Sequence, residues 1–144
     1  MPFEDEPTIY ADRPQPSEEI NELARRVIGI AIEVHRELGP GLPEEAYEEA
    51  LAIEFDARGI GYKRQLVIVI EYKGRPVCRV RLDFLIESKL VLEVKSCEVV
   101  TPIHRKQTLR YLRVRKLPLG LIINFNVMVL KDGVHRVYRP EPVE

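Results

Sequence analysis

Apolar residues recur along this chain at two different periods, and the element changes where the period changes. Ile20, Leu23, Ala24, Val27, Ala31, Val34, His35 and Leu38 return every three or four residues, the spacing of one helix face. With Ser17 as its cap, a helix is predicted over 18–38, ended by Gly39-Pro40-Gly41. Pro43 opens a second helix as a first-turn residue, running to about Arg58 before Gly59 and Gly61. Its inward stripe is Glu44, Tyr47, Leu51 and Phe55, which leaves Glu45, Glu48, Glu49 and Asp56 on the other side. The period then drops to two, and strands are predicted near 65–72, 76–87 and 89–97. Tyr72-Lys73-Gly74-Arg75 forms the first turn and Glu87-Ser88-Lys89 the second. A third helix follows Thr101-Pro102 over about 103–116 and ends before Pro118. Leu119 to Phe125 is apolar on both parities, as a strand covered on both faces should be. Val127–Leu130 and Val134–Tyr138 predict a closing hairpin around Lys131-Asp132-Gly133. The order ααβββαβββ implies a mixed sheet flanked by helices, an α/β or α+β fold. Residues 1–17, with four Pro and several acids, predict a disordered or extended arm, 18–139 a single domain and 140–144 a tail.

Charge inside two of the predicted strands points to chemistry. In Arg79–Ile86 the residues Val80, Leu82, Phe84 and Ile86 share one face, and Arg79, Arg81 and Asp83 the other. In Leu90–Lys95 the residues Val91, Glu93 and Lys95 alternate against Leu90, Leu92 and Val94. A hairpin turning at Glu87-Ser88-Lys89 sets Asp83 roughly opposite Glu93, so two carboxylates and an ammonium converge. Converging carboxylates repel, and a divalent cation is the usual remedy. Oxygen ligands suit Mg²⁺ or Mn²⁺, with the Val94 carbonyl as a further donor. Lys95 beside such an ion is placed to orient a water and to offset charge on a phosphate. The same residues also read as a surface hairpin carrying a Glu/Lys pair.

Other residues allow two readings each. Glu44 is either a carboxylate turned toward that site or a partner of the helix dipole. Gln107 and Tyr111, four apart, present an amide and a phenol on one helix face, or Tyr111 is core. His104, at the start of the basic helix, either faces a phosphate or is structural. His35, on an apolar stripe, reads as a hydrogen-bonded core histidine ahead of a ligand. Asn124 and Asn126 end a central strand, where they bond to loops or to substrate.

Gly41-Leu42-Pro43-Glu44-Glu45-Ala46-Tyr47 resembles the G-x-x-E-x-x-Y motif of the GxxExxY proteins, a group within the PD-(D/E)XK nuclease-like superfamily. Glu33–Gly41, Tyr72-Lys73-Gly74, Arg81-Leu82-Asp83, Pro102-Ile103-His104 and Gly120–Asn126 extend the likeness over about residues 20 to 139. The resemblance implies a restriction-endonuclease-like core. It implies that Asp83 is the metal-binding Asp, Glu93 and Lys95 the E-x-K, and Glu44 the acid of the first core helix. Gln107 and Tyr111 are similar to the Q-x-x-x-Y of the RecB-type branch. Leu82 stands where many members carry Pro. Fold transfers along such a likeness more readily than activity.

Composition narrows the alternatives. The chain has 144 residues, 45% hydrophobic and 31% charged, enough for one domain with a true core. No run is apolar enough to span a membrane, and the acidic start Met1–Glu6 is unlike a signal peptide, so a cytoplasmic protein is expected. Cys78 and Cys97 lack zinc spacing and read as reduced thiols. A net charge of −1 conceals an asymmetry: residues 1–60 hold 5 Lys and Arg against 15 Asp and Glu, and residues 61–144 hold 17 against 8. His104, Arg105, Lys106, Arg110 and Arg113 gather on one short helix, a footprint for the phosphates of DNA or RNA. The bland reading is a solvated face that balances the acidic helices, or pairs with them across a homodimer.

The expectation is therefore an Mg²⁺- or Mn²⁺-dependent phosphodiesterase acting on DNA or RNA. Asp83, Glu93, Val94 and Glu44 would hold the metal, Lys95 the attacking water, and Gln107 and Tyr111 would orient Lys95 or the scissile group. Its rivals are an inactive module of the same fold that binds nucleic acid or a protein, and a self-associating scaffold.

Overall fold

The structure, a computed structural model, describes residues 16–140; most of the expected arm (1–17) and tail (140–144) lies outside the described residues. Among the described residues five strands form one sheet in the spatial order β1-β2-β3-β4-β5: Tyr62–Tyr72, Arg75–Ile86, Leu90–Lys95, Leu119–Asn124 and Val134–Tyr138. β3 and β4 run parallel and every other neighbouring pair antiparallel, so the sheet is mixed. Helices α1 (Glu18–Leu38) and α2 (Glu44–Ala57) pack on one face and α3 (Pro102–Arg115) on the other. This is the α+β architecture, a mixed sheet flanked by helices, that a restriction-endonuclease-like core implies.

Local chemistry explains the elements. The Ser17 hydroxyl accepts from the Ile20 N–H and starts α1. The long apolar stripe of α1 meets Tyr47, Leu51 and Phe55 of α2 over β3 and β4, which are buried on both faces. Phe84 of β2 sits edge-on to Phe55 and Tyr62, with ring centroids 5.4 and 5.6 Å away. On the other face α3 approaches β4 closely, because a Cβ at Gly120 would lie 2.8 Å from the Thr108 Cγ2. His35 is a core histidine whose Nε2 lies 2.8 Å from the Val127 carbonyl.

Two expectations change. The closing hairpin does not form: residues 126–129 are bends and Leu130–Gly133 is a single 3-10 turn, so of its two expected strands only β5 is present, and it pairs with β4. The His35 ring takes the Val127 carbonyl, and the turn lies so close to β4 that a Cβ on Gly133 would fall 2.0 Å from the Asn124 carbonyl. The second change is in β2. Its even residues do not share one face throughout, since Phe84 and Ile86 join the core under α1 and α2 while Val80 and Leu82 pack with the α3 side. The pairing with β1 keeps step across this point, from Arg64↔Phe84 to Leu66↔Leu82, so the whole ribbon twists there. At the pivot, Gln65 has φ 54°, a left-handed backbone uncommon for a residue with a Cβ.

Candidate active site

The β2–β3 ladder runs Ile86↔Leu90, Leu85↔Val91, Phe84↔Leu92 and then stops. One more step would pair Asp83 with Glu93. Instead the Val94 N–H donates to Asp83 Oδ2 at 2.8 Å, so a carboxylate takes the place of a backbone carbonyl and the strands part. The Val94 carbonyl lies on the same edge of β3, since the Lys95 carbonyl is engaged on the β4 side by the Phe125 N–H at 2.9 Å.

Asp83 is held on its other oxygen too. Gln65 Nε2 donates to Asp83 Oδ1 at 3.1 Å and to Glu48 Oε1 at 2.9 Å, which engages both N–H bonds of one amide. Glu48 Oε1 also accepts from Arg64 Nε at 2.7 Å. The expected facing of α2 is thus reversed between two of its acids. Glu48 is buried at 7% exposure, and Glu44, one turn earlier, is exposed. The reason is the partner set: Arg64 and Gln65 rise from β1 under the second turn of α2 and satisfy Glu48 there.

Glu93 is the unusual member. It is 5% exposed, and its Oε1 is buried with no hydrogen-bond partner among the described residues. Burial first, and the Asp83 carboxylate second, hold it well above the usual carboxylate range, with the Lys95 cation opposing. A buried, unsatisfied carboxylate oxygen beside a second carboxylate is chemistry that suits a hard divalent cation. Among the described residues no three of His, Cys, Asp and Glu gather into a cage. Glu44 therefore stays outside the pair, although its charge reaches His104 and Cys97. Two carboxylates and a strand-edge carbonyl could hold a hard divalent cation of the kind that keeps several waters and takes further oxygens from a phosphate. Lys95 is half-buried, and its charge acts on Glu93, Cys97 and His104.

Residues 21–137 match the family model of the PD-(D/E)XK nuclease superfamily. The chain belongs to that superfamily. No curated protein and no solved structure matches it significantly. PD-(D/E)XK nucleases generally use divalent metals, which is the chemistry the Asp83–Glu93 pair suits. Among the described residues, no helix is long and apolar enough to cross a membrane.

Within this PD-(D/E)XK fold, Tyr111 of α3 reaches the site and Gln107, one turn earlier, is exposed. The Tyr111 hydroxyl donates to the Arg81 carbonyl at 3.0 Å. Burial, then the charges of Glu93 and Asp83, push its pKa up to about 12, so it is a neutral phenol that pins β2. His104 closes a capping box: Thr101 Oγ1 accepts from the His104 N–H at 3.3 Å, and His104 Nδ1 accepts from the Thr101 N–H at 3.1 Å. Burial and then the Lys95 cation lower its pKa. A neutral ring bonded this way carries its proton on Nε2.

The basic helix divides as well. Lys106, Arg110 and Arg113 surround a shallow exposed depression with Leu109 and Val114. Arg105 does not belong to that surface, being buried at 6% exposure on the inward side of α3 with Thr108.

Sequence reasoning missed the residues that tie the site together. Gln65 and Glu48 hold Asp83, as above. Ser96 Oγ donates to the Leu42 carbonyl at 2.6 Å, and the Tyr47 hydroxyl donates to the Gly39 carbonyl at 2.6 Å while accepting the Leu42 N–H at 3.1 Å. The α1–α2 loop is thereby stitched to the end of β3. Of the two roles open to Asn124, loop bonding is what the structure contains: Oδ1 accepts from the Cys97 N–H at 3.1 Å and Nδ2 donates to the Cys97 carbonyl at 2.8 Å. Of Gln65, Glu48 and Ser96, only Gln65 left a trace in the chain, as the polar first residue of the strand predicted near 65–72.

Proposed function

We propose that this protein is a divalent-metal-dependent nuclease that hydrolyses phosphodiester bonds of DNA or RNA. The reading rests on one observation above all: Glu93 is a buried carboxylate with an oxygen that has no partner among the described residues, next to an Asp83 whose two oxygens are already oriented by Val94 and Gln65. Repulsion between such groups is relieved by Mg²⁺ or Mn²⁺, which Asp83, Glu93 and the Val94 carbonyl would hold. When bound, the ion lowers the pKa of a coordinated water and neutralises charge on the phosphate.

The remaining work falls to the chain's own groups. Lys95 orients the attacking water and stabilises the negative charge that grows on the phosphoryl oxygens. Tyr111 fixes the β2 backbone beside Asp83, and Gln107 on the exposed turn above it orients the scissile group. Glu44 acts from the rim, through water, and balances the cations around His104. The Nε2 side of His104, with Lys106, Arg110 and Arg113, meets the substrate backbone.

A GxxExxY-type placement within the superfamily accompanies this reading. Its support is structural: Gly41 has φ 94°, a conformation that favours glycine, and Tyr47 closes the same loop with its hydroxyl.

Labelled single- and double-stranded DNA and RNA, incubated with Mg²⁺, Mn²⁺ or EDTA, test the proposal. Cleavage is expected with either metal and not with EDTA. Lys95→Ala should cut about 10²–10³-fold more slowly while binding Mn²⁺ nearly as well as wild type. Intact substrates under every condition, or Asp83→Ala cutting at the wild-type rate, would overturn it.

A further inference from the structure

The longest strands of the molecule are only half used by the sheet. β3 pairs with Phe84–Ile86 alone, so the β1–β2 hairpin from Leu66 to Leu82 continues beyond it as a two-stranded ribbon. Arg75 to Arg79 are exposed at every position, and Val67, Val69, Tyr72 and Val77 are 42%, 39%, 64% and 60% exposed. A free ribbon of two strands is marginal in water. This one is anchored at its base, where Leu66, Ile68, Val80 and Leu82 pack with the α3-side core. A tight turn through Lys73 (φ 50°) and Gly74 (φ 75°) keeps its tip narrow.

The ribbon is cationic. Lys73, Arg75, Arg79 and Arg81 are exposed, and among the described residues none of them takes part in an ion pair. Glu71 is the one acid between Leu66 and Leu82. Cross-strand pairing sets Val67 against Arg81 and Val69 against Arg79, so guanidinium groups and methyl groups alternate along one face. Asp83 stands at the ribbon's base. From Asp83 to Arg75 the strand reaches about 26 Å, at roughly 3.3 Å per residue.

We propose that this ribbon enters the major groove of a DNA duplex, making double-stranded DNA the substrate class of the nuclease proposed above. It rests on that reading for the place of the scissile phosphate at Asp83. A B-form major groove, about 12 Å wide, admits a two-stranded β-ribbon. Arginines suit its guanine edges and flanking phosphates, and valine methyls suit thymine. A-form RNA offers a deep, narrow major groove that side chains do not read, so an RNA duplex is the poorer fit.

Fluorescence anisotropy in EDTA reads binding apart from cleavage. The probes are a labelled DNA duplex of about two helical turns, the matching RNA duplex and single-stranded DNA. The DNA duplex is expected to bind about tenfold or more tighter than the other two. Arg75→Ser with Arg79→Ser should flatten the slope of log affinity against log salt by roughly 0.9 for each phosphate no longer neutralised. Lys131→Ser, an exposed cation of the turn before β5 at the opposite edge of the sheet, should leave affinity nearly unchanged. Equal binding of the RNA duplex or single strand, or an unaltered slope, would overturn the inference. So would light scattering that shows a dimer disrupted in Val67→Lys with Val69→Lys, because a second copy of the chain would then be the occupant. The two proposals fail separately. A wild type that binds duplex DNA through the ribbon and never cleaves it sinks the nuclease alone; cleavage of duplex DNA that ignores the ribbon substitutions sinks the ribbon alone.

Discussion

The two ends of the β2–β3 pair are made of opposite materials. At the turn end Phe84, Leu85 and Ile86 face Leu92, Val91 and Leu90 in a backbone ladder, and all six side chains are at most 1% exposed. At the open end the ladder gives way to one carboxylate–amide bond, and the side chains are Asp83, Glu93 and Lys95. Burying a carboxylate as deeply as Glu93 destabilises a fold. The closed end supplies apolar burial that offsets this cost, and the parting of the strands exposes a backbone edge that Asp83 engages and the proposed cation would share. Stability and the proposed chemistry are thus separated along a single hairpin by only a few residues.

The sharpest way to break that division is at the closed end. Phe84→Ala should cost about 3–5 kcal/mol in urea unfolding, as large-to-small core changes do, and should lower Mn²⁺ binding only through the loss of folded protein. A specific fall in Mn²⁺ affinity at full folding would show that the two ends are not separate.

At the open end, Gln65→Ala removes the amide between Asp83 and Glu48. Mn²⁺ affinity is expected to fall about 10–100-fold, with an unfolding midpoint close to wild type. Gln65→Asn, which tolerates the left-handed backbone and keeps an amide, should recover part of the loss. Unchanged affinity in Gln65→Ala would remove Gln65 from the site.

A smaller effect isolates Glu93 by pH. Glu93 is raised when folded, so in EDTA its contribution to stability is complete below the usual carboxylate value of 4.5 and is lost as pH rises through the higher folded value. Each unit of displacement corresponds to about 1.4 kcal/mol. Glu93→Gln should therefore hold its stability over that range while wild type declines. Parallel denaturation profiles for the two proteins would mean that Glu93 is not held protonated by the fold.

The site was legible where it depends on alternation and turns. Glu87-Ser88-Lys89 places Asp83 opposite Glu93 by counting outward from the turn, and the ladder has that register. Gln65 was not legible by the same count. From the Lys73-Gly74 turn, with Tyr72 opposite Arg75, an even ladder sets Arg64 against Asp83. An irregularity between Ile70 and Glu71 shifts the strands by one residue and brings Gln65 there instead. Glu48 escaped for a related reason: helical periodicity marks a Glu as outward, and only Arg64 and Gln65, arriving from a distant strand, make its burial tolerable.

Local periodicity and turn residues by themselves determined the three helices, five of the six strands they predicted and the convergence of Asp83 with Glu93, because each depends on neighbours a few residues apart. Tertiary structure alone decided the twist at Gln65, the exchange of Glu44 for Glu48 on the inner face of α2, the withdrawal of Arg105 and the free-standing ribbon. These depend on which distant groups meet and on how much water they exclude, and no spacing along a chain encodes that.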